Sequence, residues 1–338
     1  MKAPDFWWRA PSVQSRLLYP ISSIYGTLAK RPFGGGVRAK NPVLCIGNFV
    51  AGGAGKTPAA LAFADIALAR GLKPVFLSRG YGGQLTGPHR VDAAEDTADA
   101  VGDEPLLLAQ KAPTVIARDR PQGLAFIEAH IEHDLIIMDD GFQSSTVMPD
   151  HAALVVDAKR GLGNGCVMPA GPLRAPLAVQ MRYAGSLLVI RGSEPDHSAV
   201  APLESEFQAA GKPVMTAQLK TKPHEAIPES PIVAFSGIGD PEKFFSGLED
   251  HGCNVVARTS FPDHHVFAED EASELLSVAA NKGATLATTA KDAVRLKGKS
   301  GVLAELRERS VVFDAELSID QASTHAAESI IKHLVAER

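Results

Sequence analysis

Residues 47–58 read Gly-Asn-Phe-Val-Ala-Gly-Gly-Ala-Gly-Lys-Thr-Pro. Glycines at this density let backbone N–H groups curl round phosphate oxygens, and a helix opening directly after them adds a favourable dipole. Val50, Ala51, Gly52, Gly53, Ala54, Gly55, Lys56 and Thr57 therefore read as a phosphate-binding loop. In such a loop Lys56 reaches the β- and γ-phosphates of ATP, and the Thr57 hydroxyl ligates Mg²⁺. The strict Gly-x-x-x-x-Gly-Lys-[Ser/Thr] pattern fails at one place, where Val50 stands at the first glycine. Residues 135–140, Leu-Ile-Ile-Met-Asp-Asp, add an apolar run that ends in two acids, a Walker B pattern. Carboxylates there complete a Mg²⁺ site together with phosphates. Order alone leaves open whether Asp139 or Asp140 lies nearer the metal. Glu104 is a further candidate ligand.

Such a loop needs a strand before it and a helix after it. Residues 42–46 read as a buried strand, and Pro58 to Arg70 as the helix, with proline tolerated in its first turn. Apolar runs at Val75–Leu77, Thr114–Ala117, Leu135–Met138, Ala153–Val156 and Leu187–Ile190 read as further strands, with helical stretches between several of them. That alternation predicts an α/β fold, a mostly parallel sheet of the P-loop NTPase type. Residues 222–231 carry three prolines and read as a linker. Beyond it, strands at Ile232–Phe235, Val255–Val256, Thr285–Thr288 and Val311–Phe313 and helices over 240–251, 269–281 and 320–335 predict a second, smaller α/β domain. The expected division is an N-terminal segment 1–40, a phosphate-loop domain 41–221, the linker 222–231 and a C-terminal domain 232–338.

The 338 residues are 45% hydrophobic and 22% charged, which excludes collagen-like, disordered and multi-spanning membrane classes. Three distant cysteines, Cys45, Cys166 and Cys253, match neither zinc-ligand spacing nor a disulfide framework, and point to a reducing compartment. The formal charge of -5 is unevenly spread. Residues 1–40 hold seven basic residues and one acid, whereas the other 298 residues hold 27 basic and 38 acidic. An acidic body with one short basic segment argues against a nucleic-acid partner. The basic segment also contains both tryptophans, Trp7 and Trp8, and an apolar stripe at Val13, Leu17, Ile21, Ile24 and Leu28. Those steps of four and three describe an amphipathic helix, which Pro20 should kink or divide. It is too short in uninterrupted apolar residues to span a bilayer and lacks a signal-peptide pattern. It fits either a membrane-interface helix or a helix packed on the body of the protein.

A phosphate loop suits a kinase, a switch ATPase or a motor. Residues 51–57 are also similar to the variant loop of membrane-associated partitioning ATPases, Lys-Gly-Gly-x-Gly-Lys-Thr, but that signature lysine falls at Ala51. Other motifs decide between these classes: Ser78-Arg79-Gly80-Tyr81-Gly82-Gly83, Val101-Gly102-Asp103-Glu104-Pro105, Asp139-Asp140-Gly141-Phe142-Gln143 and Pro169-Ala170-Gly171-Pro172-Leu173-Arg174. Later come Phe235-Ser236-Gly237-Ile238-Gly239, Phe261-Pro262-Asp263-His264-His265 and Thr288-Thr289-Ala290-Lys291-Asp292. In this order and spacing they closely resemble the tetraacyldisaccharide 4'-kinase family, the lipid A 4'-kinases, from the N-terminal helix to about Leu296.

The resemblance implies transfer of the ATP γ-phosphoryl group to the 4'-hydroxyl of tetraacyldisaccharide 1-phosphate, giving lipid IVA. It implies that Asp103 and His264 activate that hydroxyl, that Asp139 and Asp140 are the Walker B pair, and that Gln143 belongs to the nucleotide site. Ala290 departs from the family's glutamate. Read without the family, Asp103 could simply cap the helical run that follows it, and His264-His265 could belong to a surface loop. Arg120 is the candidate for stabilising charge on the transferring phosphoryl group. Arg79 and Arg174 are candidates for the acceptor's anionic phosphate. Asp103 and His264 fall on different expected domains, so the site should lie in the cleft between them. With a lipid acceptor, the N-terminal helix is expected to bind the cytoplasmic face of the inner membrane peripherally.

Overall fold

The computed structural model describes residues 4–30, 33–52, 55–144, 146–192, 198–224, 226–227 and 229–337. Its strands are β1 (Val43–Asn48), β2 (Pro74–Ser78), β3 (His89–Arg90), β4 (Thr114–Ile116), β5 (Leu135–Asp139), β6 (His151–Asp157), β7 (Ser186–Arg191), β8 (Val214–Pro223), β9 (Ile232–Ser236), β10 (Val255–Ser260), β11 (Thr285–Thr289) and β12 (Ser310–Ile319). Its α-helices are α1 (Val13–Leu28), α2 (Lys56–Ala69), α3 (Ala98–Val101), α4 (Asp103–Ala109), α5 (Arg120–His130), α6 (Leu177–Tyr183), α7 (Ala201–Ala209), α8 (Pro241–Asp250), α9 (Glu269–Lys282), α10 (Ala290–Leu296), α11 (Val302–Glu308) and α12 (Gln321–Ala336).

All twelve strands join one sheet in the order β10-β9-β11-β12-β8-β7-β6-β1-β5-β2-β4-β3. Neighbours run parallel except at two places, β3 with β4 and β8 with β12. Strands β1, β2, β5 and β9 are buried along their whole length, as parallel strands covered on both faces must be. Alternate residues face opposite layers. Val43, Cys45, Val75, Leu77, Ile136 and Met138 join one core, while Leu44, Ile46, Phe76, Leu135 and Ile137 pack against Ala60, Phe63 and Ala67 of α2 in the other. The second half of the chain, β9 to β12, builds two smaller cores of its own.

The structure ties the expected domains together in two ways. Lys222 and Pro223 of the expected linker are the last residues of β8, and β8 pairs antiparallel with β12 from Ala217↔Ile319 to Pro223↔Phe313. The sheet is therefore continuous between the two halves. The C-terminal unit 232–338 is also not self-contained. Ala327, Ile330, Ile331 and Leu334 of α12 join the core that holds Phe63 and Leu188, so the last helix returns to the phosphate-loop half. Pro20 lies inside α1 without dividing it. Both Pro20 and Arg16 are exposed, so the carbonyl deprived of its helical donor lies on the outer side.

Helix α1 is seated by its small residues. Ser15, Ser22 and Gly26 are buried, with Ser22 only 3% exposed. The Ser22 hydroxyl donates to the Val167 carbonyl at 2.7 Å and accepts from the Ala170 amide at 2.9 Å. The apolar stripe points away: Val13, Leu17, Ile21, Ile24 and Leu28 are all exposed, Leu17 by 75%. Among the described residues no helix is long and apolar enough to cross a membrane.

Because α12 closes the core under α2, Ile331→Ala should cost about 2–5 kcal/mol of stability. Urea unfolding of the two proteins checks this. A loss below 1 kcal/mol would mean that α12 is not part of that core.

Candidate active site

The phosphate loop leaves β1 at Asn48 and enters α2 at Lys56. Gly55, at the helix N-cap, has φ of 81°, and a side chain there would also overlap the Ile190 methyl. Only glycine meets both demands. Not every residue of the loop faces the nucleotide cleft. The Val50 carbonyl accepts from Arg174 Nε at 3.1 Å, and the Ala51 amide donates to Pro172 at 2.8 Å. These bonds anchor the loop to the 172–174 segment. Gly52 adopts φ of 109°, and Gly53 and Ala54 lie outside the described residues. Gln143, expected at the nucleotide site, lies against the end of β1. Its amide donates to the Asn48 carbonyl at 2.7 Å and to Gln180 at 3.1 Å, bracing the end of β1.

The two Walker B acids separate in function. Asp139 ends β5 and is buried, with Thr57 Oγ1 donating to its Oδ2 at 3.4 Å. Its Oδ1 is buried with no hydrogen-bond partner among the described residues. Burial, followed by the charge of Glu104, pushes this carboxyl up to about 7, against the pull of Lys56. An orphaned carboxylate oxygen beside a hydroxyl and a second acid is a donor set that suits Mg²⁺, and Thr57, Asp139 and Glu104 would hold the ion. Among the described residues no three His, Cys, Asp or Glu side chains make a metal site by themselves.

Asp140 adopts φ of 51° and turns instead to cations. Lys56 lies 3.5 Å from its Oδ2, and Arg174 grips both oxygens, at 2.9 and 3.3 Å. Burial raises its proton affinity, but Lys56 and Arg174 overcome that and hold the carboxyl below its usual range. Buried Arg120 donates through Nη2 to the Asp140 carbonyl at 2.7 Å, while its Nε finds no partner among the described residues. Arg79, just past β2, is exposed, and its charge is felt at Arg120. Arg174 is thus built into the loop's support, whereas Arg79 stands open.

Asp103 is the first residue of α4, following Gly102 at φ of 93°. A Cβ on Gly102 would fall 2.5 Å from the Tyr81 carbonyl oxygen, so glycine is required there. Asp103 is not merely a cap. It is 5% exposed, and its Oδ2 accepts from Arg295 Nε at 2.7 Å and Nη2 at 2.5 Å. His264 Nδ1 lies 3.1 Å from the same oxygen. Burial opposes ionisation, but the His264 hydrogen bond and the charges of Lys291 and Arg295 keep the carboxyl well below the usual range. An ionised carboxylate only accepts, so the proton on that edge of the imidazole belongs to His264 Nδ1, leaving Nε2 as the neutral ring's acceptor. His264 adopts φ of 58° and stacks edge-on to Tyr81, with ring centroids 5.4 Å apart.

The sequence reading assigned no role to Lys291, Asp292 or Arg295. Buried Asp292 accepts from Ser236, the Gly237 amide, Thr289 and Arg295. It fixes the guanidinium that grips Asp103. The available signal was three charges within the otherwise apolar Ala290–Leu296, with Lys291 and Arg295 one helical turn apart. Lys291 donates to Glu104 at 3.1 Å. The cleft beside these residues has a volume of about 670 Å³ and is lined by Gly55, Lys56, Thr57, Glu104, Asp263 and Lys291, among others. That volume lies in the range of small-molecule sites.

A phosphate loop, a buried acid beside its threonine, and an Asp–His pair completed from the second half of the chain define a P-loop phosphotransferase. A family profile described as tetraacyldisaccharide-1-P 4'-kinase matches residues 14–335. The tetraacyldisaccharide 4'-kinase of Rhizobium meliloti is 46% identical over 321 residues, covering 94% of this chain and 91% of that protein. The one from Agrobacterium fabrum is 46% identical over 337 residues, covering 99% and 94%. A crystal structure of LpxK from Aquifex aeolicus in complex with ATP superposes with a TM-score of 0.72 at 25% identity, covering 95% of this chain and 99% of that one. The chain belongs to the tetraacyldisaccharide 4'-kinase family.

The raised Asp139 carboxyl carries a sign. The native state holds a proton that the unfolded chain releases from about pH 4, so stability falls as pH rises from there through about 7. Asp139→Asn should therefore raise the melting temperature of the nucleotide-free protein more at pH 8 than at pH 4. Thermal unfolding at the two pH values checks this, and equal shifts would contradict it.

Proposed function

We propose that this chain transfers the γ-phosphoryl group of ATP to the 4'-hydroxyl of tetraacyldisaccharide 1-phosphate, producing lipid IVA. The observation that carries this reading is the meeting of Asp103 and His264, 161 residues apart in sequence, beside the cleft that Lys56 and Thr57 line. A sugar hydroxyl is a poor nucleophile at neutral pH, and the Asp103–His264 pair is placed to take its proton as it attacks. Lys56, released from Asp140, neutralises the phosphates. Mg²⁺, which Thr57, Asp139 and Glu104 would hold, would supply positive charge against that of the phosphates. Arg120 places positive charge beside Asp140 at the end of β5, and Arg79, just past β2, adds a charge that Arg120 feels.

The exposed stripe of α1 supports a peripheral membrane site on the cytoplasmic face of the inner membrane, the side that supplies ATP. Each Leu or Ile of that stripe gains about 1.5–3 kcal/mol on full burial. The helix leaves these side chains uncovered while the flanking segment supplies cations, its tryptophans being turned to the body, where Trp8 packs on the core and Trp7 donates to Pro169. The alternative class, a membrane-associated switch ATPase, predicts hydrolysis without a phosphorylated lipid.

Labelled ATP with the lipid acceptor separates the two. Wild type should label the lipid, Lys56→Ala should abolish labelling, and Asp103→Asn should lower kcat by about 10²–10⁴-fold. Robust lipid labelling by the Lys56 variant would overturn the phosphate-loop assignment. For the membrane site, a triple change of Leu17→Asp, Ile21→Asp and Ile24→Asp should abolish cosedimentation with anionic vesicles while leaving ATP binding unchanged. Undiminished sedimentation would refute the role of the stripe.

A further inference from the structure

We propose that Lys291 is a further catalytic residue, a cation delivered by the second half of the chain that contacts the γ-phosphoryl group as it moves from nucleotide to acceptor. Lys291 Nζ sits among three carboxylates: Glu104 at 3.1 Å, and Asp103 and Asp263 each at 4.0 Å. Asp103 has no need of it, because Arg295 already grips that carboxylate at 2.5–2.7 Å. Glu104 faces the other way as well, raising the proton affinity of Asp139 at the end of the phosphate loop's neighbouring strand. Lys291 therefore lies between the group that activates the acceptor and the group that faces the nucleotide's charge. It also lines the same cleft as Gly55, Lys56 and Thr57. A transferring phosphoryl group must pass through that space.

The chemistry needs a cation there. As the acceptor oxygen forms its bond to the γ-phosphorus, the bond to the β-phosphate oxygen breaks and its electron pair leaves on ADP. The hydroxyl proton passes to the Asp103–His264 pair. Charge on the equatorial oxygens must be matched throughout. An ammonium on a flexible stem with three donors suits a change of partner, from Glu104 in the empty cleft to the phosphoryl oxygens when nucleotide enters. This role rests on the nucleotide reading above, and it does not depend on which hydroxyl accepts.

The test compares equilibrium binding of ADP and of a non-hydrolysable ATP analogue, each with Mg²⁺, to wild type, Lys291→Met and Lys291→Arg. The Met variant should lose about tenfold in affinity for the analogue and less than twofold for ADP, with the Arg variant partly restored. Its kcat for lipid phosphorylation should fall about 10²-fold with little change in the KM of the lipid. Equal loss of ADP and analogue affinity would show a mere clasp between the halves and overturn the role, as would an unchanged analogue affinity. Amine-directed labelling of the wild-type protein gives a measurement independent of how the variants fold. The ATP analogue should protect Lys291 and ADP should not, and equal protection overturns the role. If wild type labels no lipid, the acceptor reading fails, while the binding comparison still decides the part played by Lys291.

Discussion

The buried carboxylate of Asp103 is the contact on which the two halves of this chain depend. Among the described residues its only same-side hydrogen bond comes from the neighbouring Glu104 amide, at 2.9 Å. Arg295, His264 and Lys291, the cations and the ring that compensate it, all come from the far half. A buried carboxylate stripped of such partners would be several kcal/mol worse off. The guanidinium is in turn held by Asp292, which Ser236, the Gly237 amide and Thr289 fix in place. Orientation therefore passes from the β9 and β11 ends through Asp292 and Arg295 to Asp103, and from Asp103 to the imidazole.

The sheet makes that arrangement possible. Parallel strands present their carboxyl ends on one edge, where open α/β sheets place their ligands. Here β1 ends at the phosphate loop, β5 at Asp139, β2 next to Arg79, β9 at Ser236 and β11 at Thr289. The antiparallel β8–β12 pair lies between the two sets of strands and lets each keep its own parallel order. Helix α12 then returns across the seam. The chain thus passes between the halves more than once, and neither half is a separable piece.

Local chemistry was legible in the sequence, whereas distant pairing was not. The phosphate loop and the acids at 139 and 140 are contiguous patterns whose roles follow from spacing. Arg295 and Lys291 went unassigned because their partners lie 192 and 187 residues away, and nothing local distinguishes them from a solvated face. Asp103 and His264 were joined only through the family resemblance. A helix over 320–335 was legible, but its existence does not say which half will cover it. Helix α1 is the sharper case, because its apolar residues are the uncovered ones and its serines and glycine make the packing surface. Periodicity identified the helix correctly and left its orientation undetermined. Val50 and Ala51 were placed in the phosphate loop by motif position and Gln143 at the nucleotide by the resemblance, and none of their bonds to the 172–174 segment and to the end of β1 was legible.

The segment 163–174 has a second neighbour besides the phosphate loop. On one side the Asn164 amide holds the Trp7 carbonyl at 2.7 Å, Pro169 accepts from the Trp7 indole, and Val167 and Ala170 hold Ser22. On the other side Pro172 and Arg174 hold Ala51, Phe49 and Val50. One short stretch of backbone thus sets the height of the phosphate cradle above the exposed stripe of α1. On the proposed reading, that stretch ties the membrane-facing helix to the nucleotide site, and a lipid held at the interface would reach the cleft by a search in two dimensions.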